Sequence, residues 1–269
     1  MISSLALTLG SARRNWDLLQ EMVWRDLSGV SATSFLGRAW TLLQPAITVM
    51  TYLFIFTFVF AARDIRGNVA VGYELYLLAG IIPWVMMADL MVRSTDLVKS
   101  NSDLVKQIVF PLEILVCKVV LSAFVVQLLM TAVVLVYWLL AIGPIPLSFF
   151  VLYPLALVLQ ATLAFGIAFL LAAVGPFIPD LREVVIIVAR IGLFAAPILY
   201  SPQMLTSRWG QVLMVNPFSH MVWSYQDAVY FGTLAHPVAW LVMAVLGPGL
   251  LVVGNWAFAT LSHGFGDVI

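Results

Sequence analysis

Residues 118–180 read KVVLSAFVVQLLMTAVVLVYWLLAIGPIPLSFFVLYPLALVLQATLAFGIAFLLAAVGPFIPD. No Asp, Glu, Lys or Arg lies between the two ends of this stretch. A helix needs about 20 residues to cross the hydrocarbon core of a bilayer, so the stretch is too long for one crossing. Proline removes a backbone donor and ends a helix, and Gly143-Pro144-Ile145-Pro146 therefore divides it. The pattern predicts two membrane helices, span three over about 114–142 and span four over about 147–175.

Four further spans are predicted on either side of this pair. Span one lies in the charge-free interval 38–63, and span two covers about 73–92. Span five covers roughly 184–200 and span six roughly 238–260. We therefore predict an all-α integral membrane protein with six transmembrane helices.

The composition fits a chain that is solvated mainly by lipid. Hydrophobic residues make up 63% of the chain and charged residues 10%, whereas soluble domains carry about 25% charged residues. The formal net charge is zero, so nothing indicates a nucleic-acid partner. Cys117 is the only cysteine, so no internal disulfide can form. The three histidines are scattered and have no metal-ligand spacing: His220, His236 and His263.

The basic residues predict the orientation. Six crossings place both termini on one side of the membrane. Lysine and arginine are more frequent on that side (Arg13, Arg14, Arg25, Arg38, Arg93, Lys99, Lys106 and Arg182) than on the other (Arg63, Arg66 and Arg208). Cytoplasmic loops carry the excess of these residues, so both termini are predicted to be cytoplasmic.

An amphipathic helix is predicted before span one, over residues 14–28. Its apolar face is formed by Trp16, Leu19, Val23 and Leu27. Such a helix suits the inner membrane interface, either as a plain surface helix or as a collar that also touches a cytoplasmic partner. The predicted organisation is a cytoplasmic amphipathic segment over 1–35, a six-span domain over 36–262 and a cytoplasmic tail over 263–269.

The cytoplasmic loop between spans two and three contains another predicted helix. Ser100 and Asp103 have the spacing of a capping box. The helix should end before Pro111, because the residue before a proline disfavours helical backbone. It would present aliphatic side chains flanked by two lysines: Leu104, Val105, Ile108 and Val109, with Lys99 and Lys106. This surface either docks on a soluble subunit or rests on lipid.

The outer connection between spans five and six, residues 201–237, is too long for a simple turn and is rich in aromatic residues. Pro202 and Pro217 interrupt it. The pattern predicts short helices that lie at the outer interface or dip back into the bundle, where irregular backbone must be buried in protein or line a wet cavity. The connection serves either as a lid or as an interfacial aromatic belt.

Short motifs along the chain resemble a known family. In chain order they are Arg25-Asp26, 34–40 (SFLGRAW), Gln44-Pro45, 77–84 (LLAGIIPW), Asn101 with 104–106 (LVK), 110–113 (FPLE), Ser201-Pro202, 216–218 (NPF), and Phe265 with Asp267. Together they resemble the permease subunit of bacterial ABC-2 polysaccharide exporters, the class that includes O-antigen, capsule and teichoic-acid transporters. Family members often carry basic residues and a tyrosine where this chain has Ser-Gly-Val-Ser at 28–31.

The resemblance implies a homodimer of this chain in the bacterial inner membrane, combined with two copies of an ATPase subunit. It also implies that the cytoplasmic loop couples the ATPase to the membrane part through Asn101, Leu104, Val105, Lys106 and Ile108. Independently, a phosphate-binding loop requires Gly-x-x-x-x-Gly-Lys-Ser/Thr, and the sequence contains no Gly-Lys pair. ATP and magnesium are therefore expected on the partner, with no cofactor in this chain, which is predicted to be a transporter subunit and not an enzyme.

One stripe of span one has the character expected of a sugar conduit, because a polymer offers hydroxyl groups and flat apolar faces. The stripe consists of Trp40, Gln44, Thr51 and Phe58. It either lines a conduit or packs against another helix. Arg190, inside span five, either binds a lipid-linked headgroup, snorkels to the inner interface, or pairs with Glu183 or Asp89. Asp89 and Asp227 are expected to be solvated or to cap helices.

The predicted function is ATP-driven export of a lipid-linked polysaccharide. An alternative within the same class is export of another cargo, such as teichoic acid, a drug or a lipid. A membrane enzyme acting on a polyprenyl-linked sugar is an alternative from another class, but it would need clustered carboxylates, histidines or arginines, and the acidic residues here are scattered. A secondary transporter would favour internal repeats and broken, charged helices.

Overall fold

The computed structural model describes residues 10–11, 13–29, 39–55, 72–106, 111–200, 211 and 213–268. These ranges contain helices and turns and no β-strand. Phe58 of the predicted conduit and Ile108 of the predicted coupling segment lie outside the described residues, as do residues 201–210 of the outer connection.

The helices are numbered here in chain order. They are α1 (Trp16–Gly29), α2 (Trp40–Phe54), α3 (Tyr73–Thr95), α4 (Ser102–Val105), α5 (Glu113–Ala141), α6 (Leu147–Val174), α7 (Leu181–Ala195), α8 (Pro217–Gln226), α9 (Pro237–Leu261) and α10 (Phe265–Val268). A 3-10 turn (Lys99–Asn101) precedes α4, a π-helical turn (Asp227–Phe231) follows α8, and a second 3-10 turn (Ser262–Gly264) joins α9 to α10.

Four of these helices are long and apolar enough to cross a membrane: α3, α5, α6, and α9 with its extension to Gly264. The predicted division of residues 118–180 is confirmed, because α5 ends at Ala141 and α6 begins at Leu147. Gly143 in the connecting turn has a φ of 131°, a backbone conformation that glycine adopts readily and other residues rarely adopt.

The α7 helix is shorter than the span predicted for it. It contains 15 residues, which corresponds to about 22 Å of helix. The α7 helix covers 181–195, whereas 184–200 was predicted. It ends early because Pro197 disfavours helical backbone in the residue before it, and Ala196 is extended with φ −108° and ψ 155°.

The α3 helix occupies the centre of the bundle and packs against α5, α6, α7 and α8. The α9 helix runs along α6 at very close range. A Cβ atom added to Gly254 would meet the carbonyl oxygen of Gly166, and one added to Gly247 would meet the hydroxyl of Thr162. Small residues permit this approach, which matters because lipid provides no hydrophobic force between helices.

The α8 helix lies inside the bundle. The Asn216 side chain accepts a hydrogen bond from the Phe218 N–H at 3.0 Å, and Pro217 occupies the first turn. Residues 219–230 are buried against α3, α6 and α9. Gly232, with a φ of 64°, ends the π-helical turn. Of the two arrangements predicted for the outer connection, this part adopts the one that dips back into the bundle.

The predicted helix over 14–28 is present as α1. Leu19 is 2% exposed and packs with Ile114 and Cys117 of α5. On the opposite face, Glu21 and Arg25 form an ion pair at 3.4 Å. Leu19, with Val23 beside it, thus docks the helix on α5, whereas Trp16 of the predicted apolar face is 50% exposed.

Candidate functional site

A cavity of about 400 Å³ lies between α1, α2, α3 and α5. The α2 helix contributes an indole ring and three hydrogen-bonding side chains to its wall: Trp40, Thr41, Gln44 and Thr48. The facing helices α3 and α5 contribute aliphatic and thioether groups: Val85, Met86, Val126 and Met130. The wall therefore combines an aromatic ring, polar groups and apolar groups.

Local bonds fix the start of α2 at this cavity. The Thr41 hydroxyl donates to the Leu27 carbonyl of α1 at 2.9 Å, and the Thr48 hydroxyl donates to the Gln44 carbonyl at 2.9 Å. Pro45 is buried within α2 and has no N–H to donate to the Thr41 carbonyl. The Thr41 carbonyl, which lies beside the cavity, consequently lacks its usual helical hydrogen-bond donor.

The three described residues of the predicted conduit stripe lie on the open side of α2. Trp40 and Gln44 line the cavity. Thr51 is exposed, its hydroxyl donates to the Ile47 carbonyl at 2.7 Å, and it does not belong to the described part of the cavity wall. The opposite side of α2 packs inward, since Val49 is 1% exposed.

The inner end of the cavity carries charged groups. Asp26 accepts a hydrogen bond from the Arg93 guanidinium, and its second oxygen lies 3.5 Å from Lys118 Nζ. Arg93 also contacts Asp89 at 3.3 Å. The Asp26, Arg93 and Lys118 side chains are 19%, 30% and 14% exposed, so this network is largely shielded from water.

A second cavity, of about 250 Å³, lies below this network. Asp26 and Arg93 line both cavities. The second wall adds Asp96, Ser100, Asn101, Lys118 and Arg182. Arg182, in the first turn of α7, bonds through Nε to Asp96 at 2.6 Å. The end of α3, the loop between α3 and α5, and the starts of α5 and α7 thus meet around one polar chamber.

The predicted coupling residues lie beside this chamber. The Asn101 amide donates to the Leu97 carbonyl at 2.7 Å. Leu104 and Val105 are half-buried against the main core, and Lys106 is exposed. The predicted capping box does not form, because the Ser100 backbone N–H, which Asp103 would have to accept, donates to the Asp96 carbonyl at 2.8 Å, and Asn101 rather than Ser100 precedes the helix. A 3-10 turn begins at Lys99 instead and leads into the helix.

Arg190 lies on the exposed side of α7. The two carboxylates predicted as its partners bind other arginines: Glu183 contacts Arg182 at 3.6 Å and Asp89 contacts Arg93 at 3.3 Å. The pairing alternative for Arg190 is therefore wrong. No other carboxylate among the described residues forms an ion pair with it.

Sequence reasoning missed a buried polar cluster between α5, α6 and α8. The amides of Gln127 and Gln160 pair reciprocally at 2.9 and 3.0 Å. The Tyr225 hydroxyl accepts from Gln127 at 2.9 Å and donates to Gln160. All three side chains are essentially inaccessible to solvent. A signal was available, because an amide within an apolar span needs a partner on another helix.

Asp227 is also buried, so the expectation of a solvated group is wrong. Its carboxylate accepts from the His236 backbone N–H at 3.0 Å and the Trp240 indole at 2.9 Å, and it lies 2.8 Å from His236 Nδ1. The expected capping role is partly present, since one donor is the backbone N–H directly before α9. The carboxylate joins the π-helical turn to α9.

Comparisons with known proteins place this geometry in a family context. A family model described as ABC-2 type transporter matches residues 17–230. The chain is similar to the O-antigen export system permease protein RfbA of Klebsiella pneumoniae, with 27% identity over 255 residues, 94% of this chain and 95% of the relative. The protein of the same name from Myxococcus xanthus is 26% identical over 254 residues, with the same coverage. The polysialic acid transport protein KpsM of Escherichia coli is 22% identical over 226 residues, 84% of this chain and 86% of the relative.

Proposed function

The chain belongs to the ABC-2 type transporter family, and on this basis we propose that it is the permease subunit of an ATP-driven exporter of lipid-linked polysaccharide. The observation that carries the proposal is the family match over residues 17–230, a range that contains the lining residues of both cavities and the cytoplasmic loop. The relatives named for O-antigen export and polysialic acid transport support a polysaccharide as cargo.

The energy source lies on another chain. The sequence contains no Gly-Lys pair and hence no phosphate-binding loop. We propose that two copies of an ATPase bind ATP and magnesium and dock on a homodimer of this chain. The docking surface is the cytoplasmic loop, through Asn101, Leu104, Val105 and Lys106, with Ile108 following in the sequence.

The membrane arrangement that we propose has six spans and cytoplasmic termini in the bacterial inner membrane. Span one contains α2 and span five contains α7. The α2 helix exposes Ile47, Met50 and Phe54, and the α7 helix exposes Ile187 and Phe194. Apolar faces of this kind suit lipid or a second copy of the chain. The amphipathic segment 1–35 precedes the membrane domain 36–262, and a cytoplasmic tail, 263–269, follows.

The substrate conduit that we propose follows the open side of span one. Trp40 and Gln44 begin it at the inner cavity, Thr51 continues it on the exposed face of α2, and Phe58 follows in the same sequence stripe. The chemistry supports this choice, because the indole ring can stack on sugar C–H faces while the amide and hydroxyl groups bind sugar hydroxyls.

A reconstituted complex tests the proposed function. The chain would be co-purified with the ATPase encoded beside it and assayed in nanodiscs for ATP turnover with and without a polyprenyl-linked glycan. We expect the glycan to stimulate turnover and export. A chain that moves the glycan normally without any bound nucleotidase would overturn the proposal.

Variants of span one test the conduit separately. Gln44→Leu with Thr51→Leu should lower export severalfold without reducing the yield of the complex, because both changes remove hydrogen-bonding groups from the stripe. The matched control is Thr260→Leu, since the Thr260 hydroxyl is also exposed and donates to a carbonyl four residues back, at 2.9 Å. Undiminished export by the double variant would reject the conduit.

A further inference from the structure

The two cavities are adjacent and differ in chemistry. The cavity of about 400 Å³ is called the upper end here and the cavity of about 250 Å³ the lower end. They share Asp26 and Arg93. The upper end is walled mainly by apolar groups such as Met86 and Val126. The lower end is walled by the cations of Arg93, Lys118 and Arg182. A ligand that filled both ends would have an apolar or sugar-like part and an anionic part.

The lower end has more hydrogen-bond donors than its carboxylates use. A guanidinium has five N–H groups and an ammonium has three. Arg93 and Lys118 share the carboxylate of Asp26, and the Lys118 contact is long, at 3.5 Å. Arg182 uses Nε for Asp96 at 2.6 Å. Three cations and two carboxylates line this cavity. Outside its wall, Asp89 contacts Arg93 at 3.3 Å and Glu183 contacts Arg182 at 3.6 Å, so each guanidinium uses two of its five N–H groups for carboxylates. The side chains of Arg93 and Lys118 are 30% and 14% exposed.

We propose that the lower cavity binds the phosphate or diphosphate headgroup of the lipid-linked cargo, with Arg93 and Lys118 as its ligands, and that Asp26 competes with the headgroup for these two cations. This inference rests on the proposed function. A phosphate oxygen accepts bidentate hydrogen bonds from guanidinium in the same way as a carboxylate oxygen. The second cation at Lys118 suits a group with more than one negative charge.

The position of Asp26 gives the exchange a structural consequence. Asp26 lies in the last turn of α1, which packs against α5 and is joined by Thr41 to the start of α2. When an anion takes Arg93 and Lys118, this end of α1 loses two ion pairs. Headgroup binding would therefore loosen α1 beside the upper cavity and the conduit.

A purely structural ion-pair network makes the opposite prediction for one variant. If Asp26 served only to hold Arg93 and Lys118, Asp26→Asn would disorder both cations and weaken anion binding. If Asp26 competes with the headgroup, the same variant removes the competitor and strengthens binding. The sign of the change separates the two roles.

The test measures binding to the intact complex with its ATPase in nanodiscs, by native mass spectrometry. The probes are a polyprenyl diphosphate carrying one sugar, the matching polyprenyl alcohol without phosphate, and inorganic pyrophosphate as competitor. Lys118→Gln and Arg93→Gln should weaken binding of the diphosphate lipid about tenfold to a hundredfold, the loss expected for one hydrogen bond to a charged group. Asp26→Asn should tighten it severalfold, and Lys118→Arg should retain it.

Arg190→Gln is the matched control, because Arg190 is a membrane-span arginine on the exposed side of α7. Loss of binding in this variant, with Lys118→Gln unaffected, would overturn the inference in favour of Arg190 as the headgroup ligand. Equal binding of the polyprenyl alcohol would also overturn it, because the diphosphate would then contribute nothing to binding. Pyrophosphate that competes at the same concentration as the lipid would assign the cavity to a free anion instead of a lipid-linked headgroup, and would overturn the inference as well. If these variants bind normally while the wild-type complex exports glycan, only the headgroup site fails and the proposed function stands.

Discussion

Replacing Gln160 with leucine should destabilise the bundle, because Gln160 is the shared partner in the buried amide cluster. The substitution removes both bonds of the reciprocal amide pair with Gln127 and the acceptor of the Tyr225 hydroxyl. It also removes two longer contacts of the Gln160 amide, to the Pro83 carbonyl at 3.4 Å and to the Met86 sulfur at 3.5 Å. Leucine is similar in size, so the change is mainly one of hydrogen bonding. One bond remains in the cluster, from Gln127 to the Tyr225 hydroxyl at 2.9 Å.

The expected loss of stability depends on the number of hydrogen bonds removed and on whether water or lipid surrounds the unfolded chain. An unsatisfied buried group in a water-soluble protein costs about 1–3 kcal/mol. Interhelical bonds in a bilayer contribute less, about 0.6 kcal/mol on average and about 1.7 at most, because the unfolded chain also finds partners in the membrane. The membrane figures apply here, so the loss of the three bonds within the cluster should cost about 2–5 kcal/mol.

A double-mutant cycle checks this reasoning through steric trapping of the unfolded chain in lipid bicelles. The two bonds of the amide pair are lost in either single variant, Gln127→Leu or Gln160→Leu. The double variant should therefore cost about 1–3 kcal/mol less than the sum of the singles. Adding Tyr225→Phe to the double variant removes the Tyr225 hydroxyl, which has then lost both amide partners, and should recover stability. Gln20→Leu, at an exposed position in α1, is the control. Strict additivity of the two singles would refute the paired amides.

Two other buried features give further predictions. Asp227→Leu leaves three donor groups without their acceptor, so the bundle should lose about 2–5 kcal/mol of stability on the same scale. Backbone hydrogen exchange should increase from the π-helical turn to Trp240, and unchanged exchange would contradict the contacts of Asp227. Gly254→Leu must push α9 away from the Gly166 carbonyl, so it should lower the midpoint temperature of thermal inactivation in detergent. Gly249→Leu is the control and should leave the midpoint unchanged, because the space around its Cβ position is open. Equal effects of the two variants would contradict the close approach of α9 to α6.

The long helices could be predicted because the hydrocarbon core of a bilayer restricts the backbone to few structures. In hydrocarbon every backbone group must be satisfied within the segment, so a long uncharged stretch must be helical and can end only where proline or polar residues permit. This rule located α5, α6 and their connection at residues 143–146. Helix ends set by a single local residue were less predictable. The α7 helix ends at Ala195 because Pro197 acts through the residue before it.

The partners of the polar side chains could not be predicted, because they depend on contacts between distant parts of the chain. Asp26 and Arg93 are 67 positions apart, and Gln127 and Tyr225 are 98 apart. The sequence indicates that a polar group in a span needs a partner, but several candidates satisfy that need equally well. Arg190 illustrates the point, since both carboxylates proposed for it bind other arginines.

The packing links the two ends of α3 to different parts of the molecule. The C-terminal end of α3 carries Arg93 and leads into the loop between α3 and α5, whose Leu97 and Val98 are buried and cannot slide independently of the core. The N-terminal end is tied to the segment after α7, because the Tyr76 hydroxyl donates to the Pro197 carbonyl at 3.3 Å. Between these ends, Pro83 removes one backbone hydrogen bond and makes the middle of α3 the easiest place to bend. The amide of Gln160 reaches the Pro83 carbonyl at 3.4 Å, so the buried amide cluster lies beside this bend. One helix that can bend at Pro83 therefore joins the loop, the buried amide cluster and the segment after α7.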